Sequence, residues 1–80
     1  QAPSILERIH VAKRHFEMAV KWKGERLGIL ETRRHYSNYF KGIKDFKPYR
    51  TKLVTLETIK ELRSLFLELE EINETLLVTA

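Results

Sequence analysis

The sequence predicts an all-α domain, arranged as a small four-helix-bundle-like unit of three long helices and one short helix. Apolar residues recur every three or four positions along most of the chain, and no period-2 run of useful length interrupts them. Helix start and stop residues also fall where that period begins and ends. Eighty residues amount to one small domain, 1–80, and 42% hydrophobic with 32% charged residues marks a globular rather than a disordered chain. No apolar run approaches the ~20 residues that span a bilayer, so no membrane partner is expected.

Ser4 to Glu7 reads S-x-x-E, a capping box behind Pro3. Ile5, Ile9, Ala12, Phe16, Ala19 and Val20 follow at helical spacing, so the first helix should run from Ile5 to Lys23 and stop at Gly24. Val11, Met18 and Trp22 make a second apolar ridge, about 130° from the first at 100° per residue. A helix apolar on two sides is either central in a bundle or covered by another domain. The second helix should run from Glu25 to Lys41 and end at Gly42, with Ile29, Tyr36, Phe40 and Ile43 inward and Tyr39 at the margin. Gly28 near its start should let the first turn fray.

Pro48 favours the first turn of a brief helix through Leu53. Thr55 is the expected N-cap of the last helix, with Glu57 at the positive end of its dipole. Ile59, Leu62, Phe66 and Leu69, flanked by Leu65 and Ile72, form the inward stripe of that helix. No stop signal comes after it, so residues 74–80 should be a frayed tail.

Charge is uneven. Residues 1–53 hold 13 Lys/Arg against 5 Asp/Glu, and residues 54–80 hold 2 against 6. A basic segment of this kind attracts phosphate backbones by counterion release, although a solvated Lys/Arg-rich helix face would look the same. On the expected second helix Arg26, Arg33, Arg34, Ser37, Lys41 and Lys44 gather on the side opposite the apolar ridge. Like charges packed this way repel one another, which invites a functional explanation.

Other chemistry finds little support. With no cysteine, thiolate metal sites, thiol catalysis and disulfides are excluded from this chain, and the lack fits a cytoplasmic setting. His10 and His15 stand about 140° apart on a helix and have no H-E-x-x-H arrangement, so metal ligation is not expected. His35 comes four residues after Glu31, which suits either a surface pair or a contact to phosphate or base edge. Gly24 and Gly28 stand alone, without a phosphate loop. Glu68, Glu70, Glu71 and Glu74 read as a solvated face. Tyr36 and Phe40 are at core spacing, whereas Tyr39 can keep its hydroxyl at a wet edge. A helix-turn-helix DNA reader lacks the short pairing helix it needs, and DNA is not an expected partner.

The run Gly24, Glu25, Arg26, Leu27, Gly28, then Thr32, Arg33, Arg34, His35, Tyr36, Ser37, Asn38, Tyr39, Phe40, Lys41, Gly42 resembles the C-terminal helical domain of bacterial tRNA-dihydrouridine synthases. Arg33, Arg34 and His35 match that family's basic pair and histidine, Tyr39 its tyrosine, and Lys41 and Gly42 its lysine-glycine ending. Tyr49, Arg50, Leu53 and the Thr55–Leu56–Glu57 start come next in similar order. Asn38 departs from the pattern, because many relatives carry tryptophan there.

The resemblance implies a domain excised from the C-terminal end of a larger flavoenzyme, whose N-terminal (β/α)₈ barrel binds FMN. In that family hydride passes from reduced flavin to C6 of a uridine, a barrel cysteine protonates C5, and NADPH re-reduces the flavin. The implied parent is thus an oxidoreductase of tRNA processing, with this piece itself non-catalytic and free of cofactor. Its implied task is to hold tRNA so that a uridine can leave its stack. Candidate RNA-binding residues are Arg26, Arg33, Arg34, His35, Tyr39, Lys41 and Lys44, and the barrel is the second expected partner. The alternative is a helical protein-interaction bundle that presents its basic face to an acidic partner.

Overall fold

In the computed structural model, which describes residues 2–79, the chain is all-α: α1 (Ile5–Lys23), α2 (Glu25–Arg33), α3 (Tyr36–Tyr39), α4 (Lys47–Thr55) and α5 (Ile59–Ile72), then a 3₁₀ turn (Asn73–Thr75). The first helix has the expected bounds, with Ser4 and Glu7 closing a reciprocal capping box. Gly24 alone joins it to α2, at φ 86° and ψ 169°, a conformation open essentially only to glycine. The two helices fold back antiparallel.

Gly28 is where they meet. A Cβ built on it would lie 2.6 Å from the backbone of Val20, so only glycine permits this approach. The expected fraying is therefore replaced by a close-packed crossing. Glu25 in the first turn of α2 also accepts a 2.8 Å hydrogen bond from the Ile59 amide, tying this end of the hairpin to the start of α5.

The expected single helix from Glu25 to Lys41 is broken at Arg34–His35, giving five helices rather than four. Thr32 supplies a physical reason. Its buried hydroxyl lies 3.2 and 3.1 Å from the Gly28 and Ile29 carbonyls, a back-bonding arrangement that bends helices. The same oxygen accepts a hydrogen bond from the Tyr36 hydroxyl at 3.2 Å, and a His35 N–H to Thr32 carbonyl bond tightens the last turn. The inward set nonetheless survives the break: Ile29, Tyr36, Phe40 and Ile43 are all buried.

Two boundaries shift at the other end. Thr55 belongs to the last turn of α4 and donates its hydroxyl to the Thr51 carbonyl at 2.7 Å. The N-cap of α5 is Thr58, whose side chain accepts from the Glu61 amide, and Glu61 rather than Glu57 occupies the first turn. The spacing T-x-x-E from Thr58 to Glu61 is the stronger capping signal. Beyond α5 the expected frayed segment is engaged as far as Thr79. Lys44 N donates to Leu77 O at 2.7 Å, Thr79 N donates to Gly42 O at 2.6 Å, and Ile43 and Val78 form an isolated antiparallel bridge. Ala80 lies outside the described residues.

A train of rings runs through the core. Phe16 of α1 and Tyr36 of α3 both pack on Phe66 of α5, at 5.6 and 6.2 Å between centroids. Each such buried ring contributes about 1.5–3 kcal/mol over exposure. Phe46 meets Tyr49 within the start of α4, and Phe40 stacks on Phe46 at 4.8 Å. The Phe40–Phe46 stack thereby holds the end of α3 against the first turn of α4.

Candidate nucleic-acid interface

The expected basic stripe does not survive as one helix face, because the helix that carried it is broken. Arg26 and Arg33 border one surface depression with Glu25 and Glu57. Arg34 borders a second, beside Lys23, Leu27 and Glu31, and Lys41 a third, with Ser37, Asn38 and Arg50. Lys44 lies in the turn before α4, exposed, with its backbone amide on Leu77.

Arg33 is a correction in its own right. Its Nη2 donates to the Leu56 carbonyl at 3.1 Å and its Nε is buried without a hydrogen-bond partner, so it fastens α2 to the α4–α5 connection. Most of its fork is thus turned inward. The neighbouring Arg34 is exposed and makes no ion pair or side-chain hydrogen bond among the described residues.

That distinction extends along the chain. Lys13, Lys23 and Arg63 are ion-paired, to Glu70, Glu31 and Glu17 respectively. From Arg34 to Lys52 the chain carries Arg34, Lys41, Lys44, Lys47, Arg50 and Lys52 against a single acid, Asp45. All six cations are exposed, and no ion pair to them occurs among the described residues.

The turn that bears Lys41 and Lys44 is held by its backbone. Arg8 donates Nε to Tyr39 O at 3.0 Å and Nη2 to Lys41 O. Thr79 donates both its amide and its hydroxyl to Gly42 O. Gly42 (φ 78°) and Asp45 (φ 57°) both sit in the left-handed region, so the turn is sharp as well as pinned. Sequence reasoning missed Arg8 because its partners are 31 and 33 residues away, with no local spacing to announce them.

His35 and Tyr39 are brought together, through a residue not among the candidates. His15 of α1 lies 4.8 Å from the His35 ring, and its Nδ1 is hydrogen-bonded to the Tyr39 hydroxyl at 2.9 Å. Its Nε2 is 3.8 Å from Glu31, which also accepts from Lys23. Of the two readings left open for His35, the surface pair with Glu31 does not form, because Glu31 pairs with Lys23 and His15. The Lys23 hydrogen bond, opposed by burial and helped by the charges of Lys23, His15 and Arg34, holds the Glu31 carboxyl below its ordinary range.

His15, Lys23, Glu31 and Tyr39 of this cluster, but not His35, line an open groove of about 600 Å³ together with Val11, Met18 and Trp22. Trp22 is 75% exposed and Val11 and Met18 are exposed too, so the described residues leave the second apolar ridge largely uncovered. Among the described residues no group of three metal-ligating side chains comes together, and no helix is long and apolar enough to cross a membrane. Neither a family model nor a solved structure matches the chain.

Proposed function

We propose that this chain is the tRNA-binding helical domain of a flavin-dependent tRNA-dihydrouridine synthase, a cytoplasmic oxidoreductase. The observation that carries the reading is the pairing of a motif with a surface. The Arg33–Arg34–His35…Tyr39…Lys41–Gly42 run resembles that family, and the segment it opens carries six exposed cations that make no ion pair among the described residues. Unpaired Lys and Arg on a pinned turn suit a phosphate backbone, which releases a counterion for each charge they neutralise. Arg26, Arg34, Lys41 and Lys44 are the proposed backbone contacts, with His35 and Tyr39 beside them, while Arg33 supports the fold.

FMN and NADPH belong to the proposed parent's barrel. The residues present here do not fit a flavin: the Trp22 groove is an open shelf, and no glycine-rich turn offers a cradle of backbone amides. The uncovered Val11, Met18 and Trp22 are the natural seat for that barrel, which supports a two-domain, bundle-on-barrel arrangement.

A salt series of binding to unmodified tRNA, against generic RNA duplex, tests the reading. Preference for tRNA with affinity falling steeply as salt rises is the expected result. Equal affinity for tRNA, duplex and an unrelated polyanion overturns it. The Trp22 groove also favours a second reading, an interaction bundle for an acidic protein, and equal affinity for all three polyanions is what that reading expects.

A further inference from the structure

The Phe40–Phe46 stack places the end of α3 beside the first turns of α4, and a notch of about 460 Å³ opens between them. Ser37, Asn38, Lys41, Gly42 and Arg50 line it. No carboxylate of the described residues does. Among the described residues none of the four polar side chains makes a hydrogen bond or ion pair within the chain, although all four are exposed. The volume falls within the range of about 300–1,000 Å³ typical of small-ligand pockets.

We infer that this notch is a ribose-phosphate site for one nucleotide of an RNA strand, with Lys41 and Arg50 on the phosphate and Ser37 and Asn38 on the ribose 2′-hydroxyl. The inference rests on the tRNA-binding reading and adds to it a location, three residues (Ser37, Asn38 and Arg50) and a means of telling RNA from DNA. Two cations without a competing carboxylate match a phosphodiester, and the Arg50 guanidinium can take two of its oxygens at once. A 2′-hydroxyl both donates and accepts, and so do a serine hydroxyl and an asparagine amide. The turn at Lys41 is fixed by Arg8 and Thr79, so Lys41 loses little backbone freedom on binding.

The test compares the wild-type chain with Lys41→Gln, Arg50→Gln, Ser37→Ala and Asn38→Ala. Each is titrated with unmodified tRNA, with a short single-stranded ribo-oligomer and with the 2′-deoxy oligomer of the same sequence. Circular dichroism checks that each variant folds. Lys41→Gln and Arg50→Gln should weaken both oligomers alike and lower the salt slope by about 0.7 each. Ser37→Ala and Asn38→Ala should weaken the ribo-oligomer by about twofold to tenfold, leaving the deoxy-oligomer and the salt slope unchanged. Unchanged affinity in all four variants, with tRNA still preferred over duplex by the wild type, overturns the notch and leaves the tRNA reading standing. Failure of the wild type to prefer tRNA, or to bind RNA at all, overturns both.

Discussion

Arg63 and Arg50 are both exposed arginines on helices, yet they sit in opposite kinds of neighbourhood. Arg63 closes on Glu17 through two 2.9 Å hydrogen bonds across the α1–α5 seam. Farther along the same seam His10 and Lys13 meet Glu70, at 3.0 and 3.5 Å. Arg50 faces a notch that no acid of the described residues lines. The seam uses its charges to register helices, whereas the stretch from Arg34 to Lys52 carries charges that the fold does not need. Surface pairs of the first sort are worth at most about 1 kcal/mol, so the fold gains little from them. Exposed cations of the second sort, without an ion pair among the described residues, remain available to a ligand.

The largest effect that would sharpen this contrast lies in the hairpin. Gly28→Ala should lower stability by about 2–3 kcal/mol, because Val20 backbone cannot yield to a Cβ at 2.6 Å and the helix-propensity gain is only about 1 kcal/mol. Urea unfolding measures it, and a neutral or stabilised variant would mean that α1 and α2 separate freely. Next comes the triple change Arg34→Gln, Lys44→Gln and Lys47→Gln. tRNA affinity should fall by about tenfold or more and the salt slope by about 2, with stability unchanged within about 0.5 kcal/mol. Loss of stability instead would erase the distinction between the two regions.

The adjacent pair Arg33 and Arg34 gives a finer comparison. Arg33→Gln should cost about 1–2 kcal/mol by releasing the Leu56 carbonyl, and Arg34→Gln should cost almost none. Equal thermal stability of the two variants would contradict the placement of Arg33.

The smallest effect is in pH. Hydrogen bonding from Arg63 holds the Glu17 carboxyl below its ordinary range, and hydrogen bonding from Lys23 does the same for Glu31. Because the folded values are depressed, this stabilisation is complete above the unfolded carboxylate pKa of about 4.3 and is lost as pH falls through the folded values. An acid titration of Arg63→Ala should therefore show a shallower loss of stability below about pH 4 than the wild type. Identical titration curves would show that the pair contributes nothing.

Local chemistry made α1 legible to the residue, since Ser4, Glu7 and Gly24 announce both its ends. The inward set of α2 and α3 was legible for a different reason. Residues 29, 36, 40 and 43 keep a helical period even across the break, because the two pieces stay nearly in phase. The break itself was not legible. It depends on the Thr32 hydroxyl finding Tyr36 in a buried place, which propensity does not encode. Thr55 misled because it is a good N-cap residue standing three places before a better one. For the candidate interface, the sequence showed the basic residues as a group, yet a helical wheel could not divide them among separate depressions. Arg50 and the anchoring Arg8 needed tertiary structure, because Phe40 and Phe46 bring the one into place and the other reaches 31 and 33 residues along the chain.

The clasp of Thr79 on Gly42 joins residues 37 positions apart, and it has a consequence in time. A chain growing at about 5–20 residues per second makes Gly42 about two to seven seconds before Thr79. The α1–α2 hairpin, joined by one glycine, can close early in that interval. During synthesis the turn that presents Lys41 and Lys44 therefore waits, unfastened on its far side, until the segment through Thr79 has cleared the ribosome. The turn at Lys41 and Lys44 is therefore fastened on this side later than the α1–α2 hairpin closes.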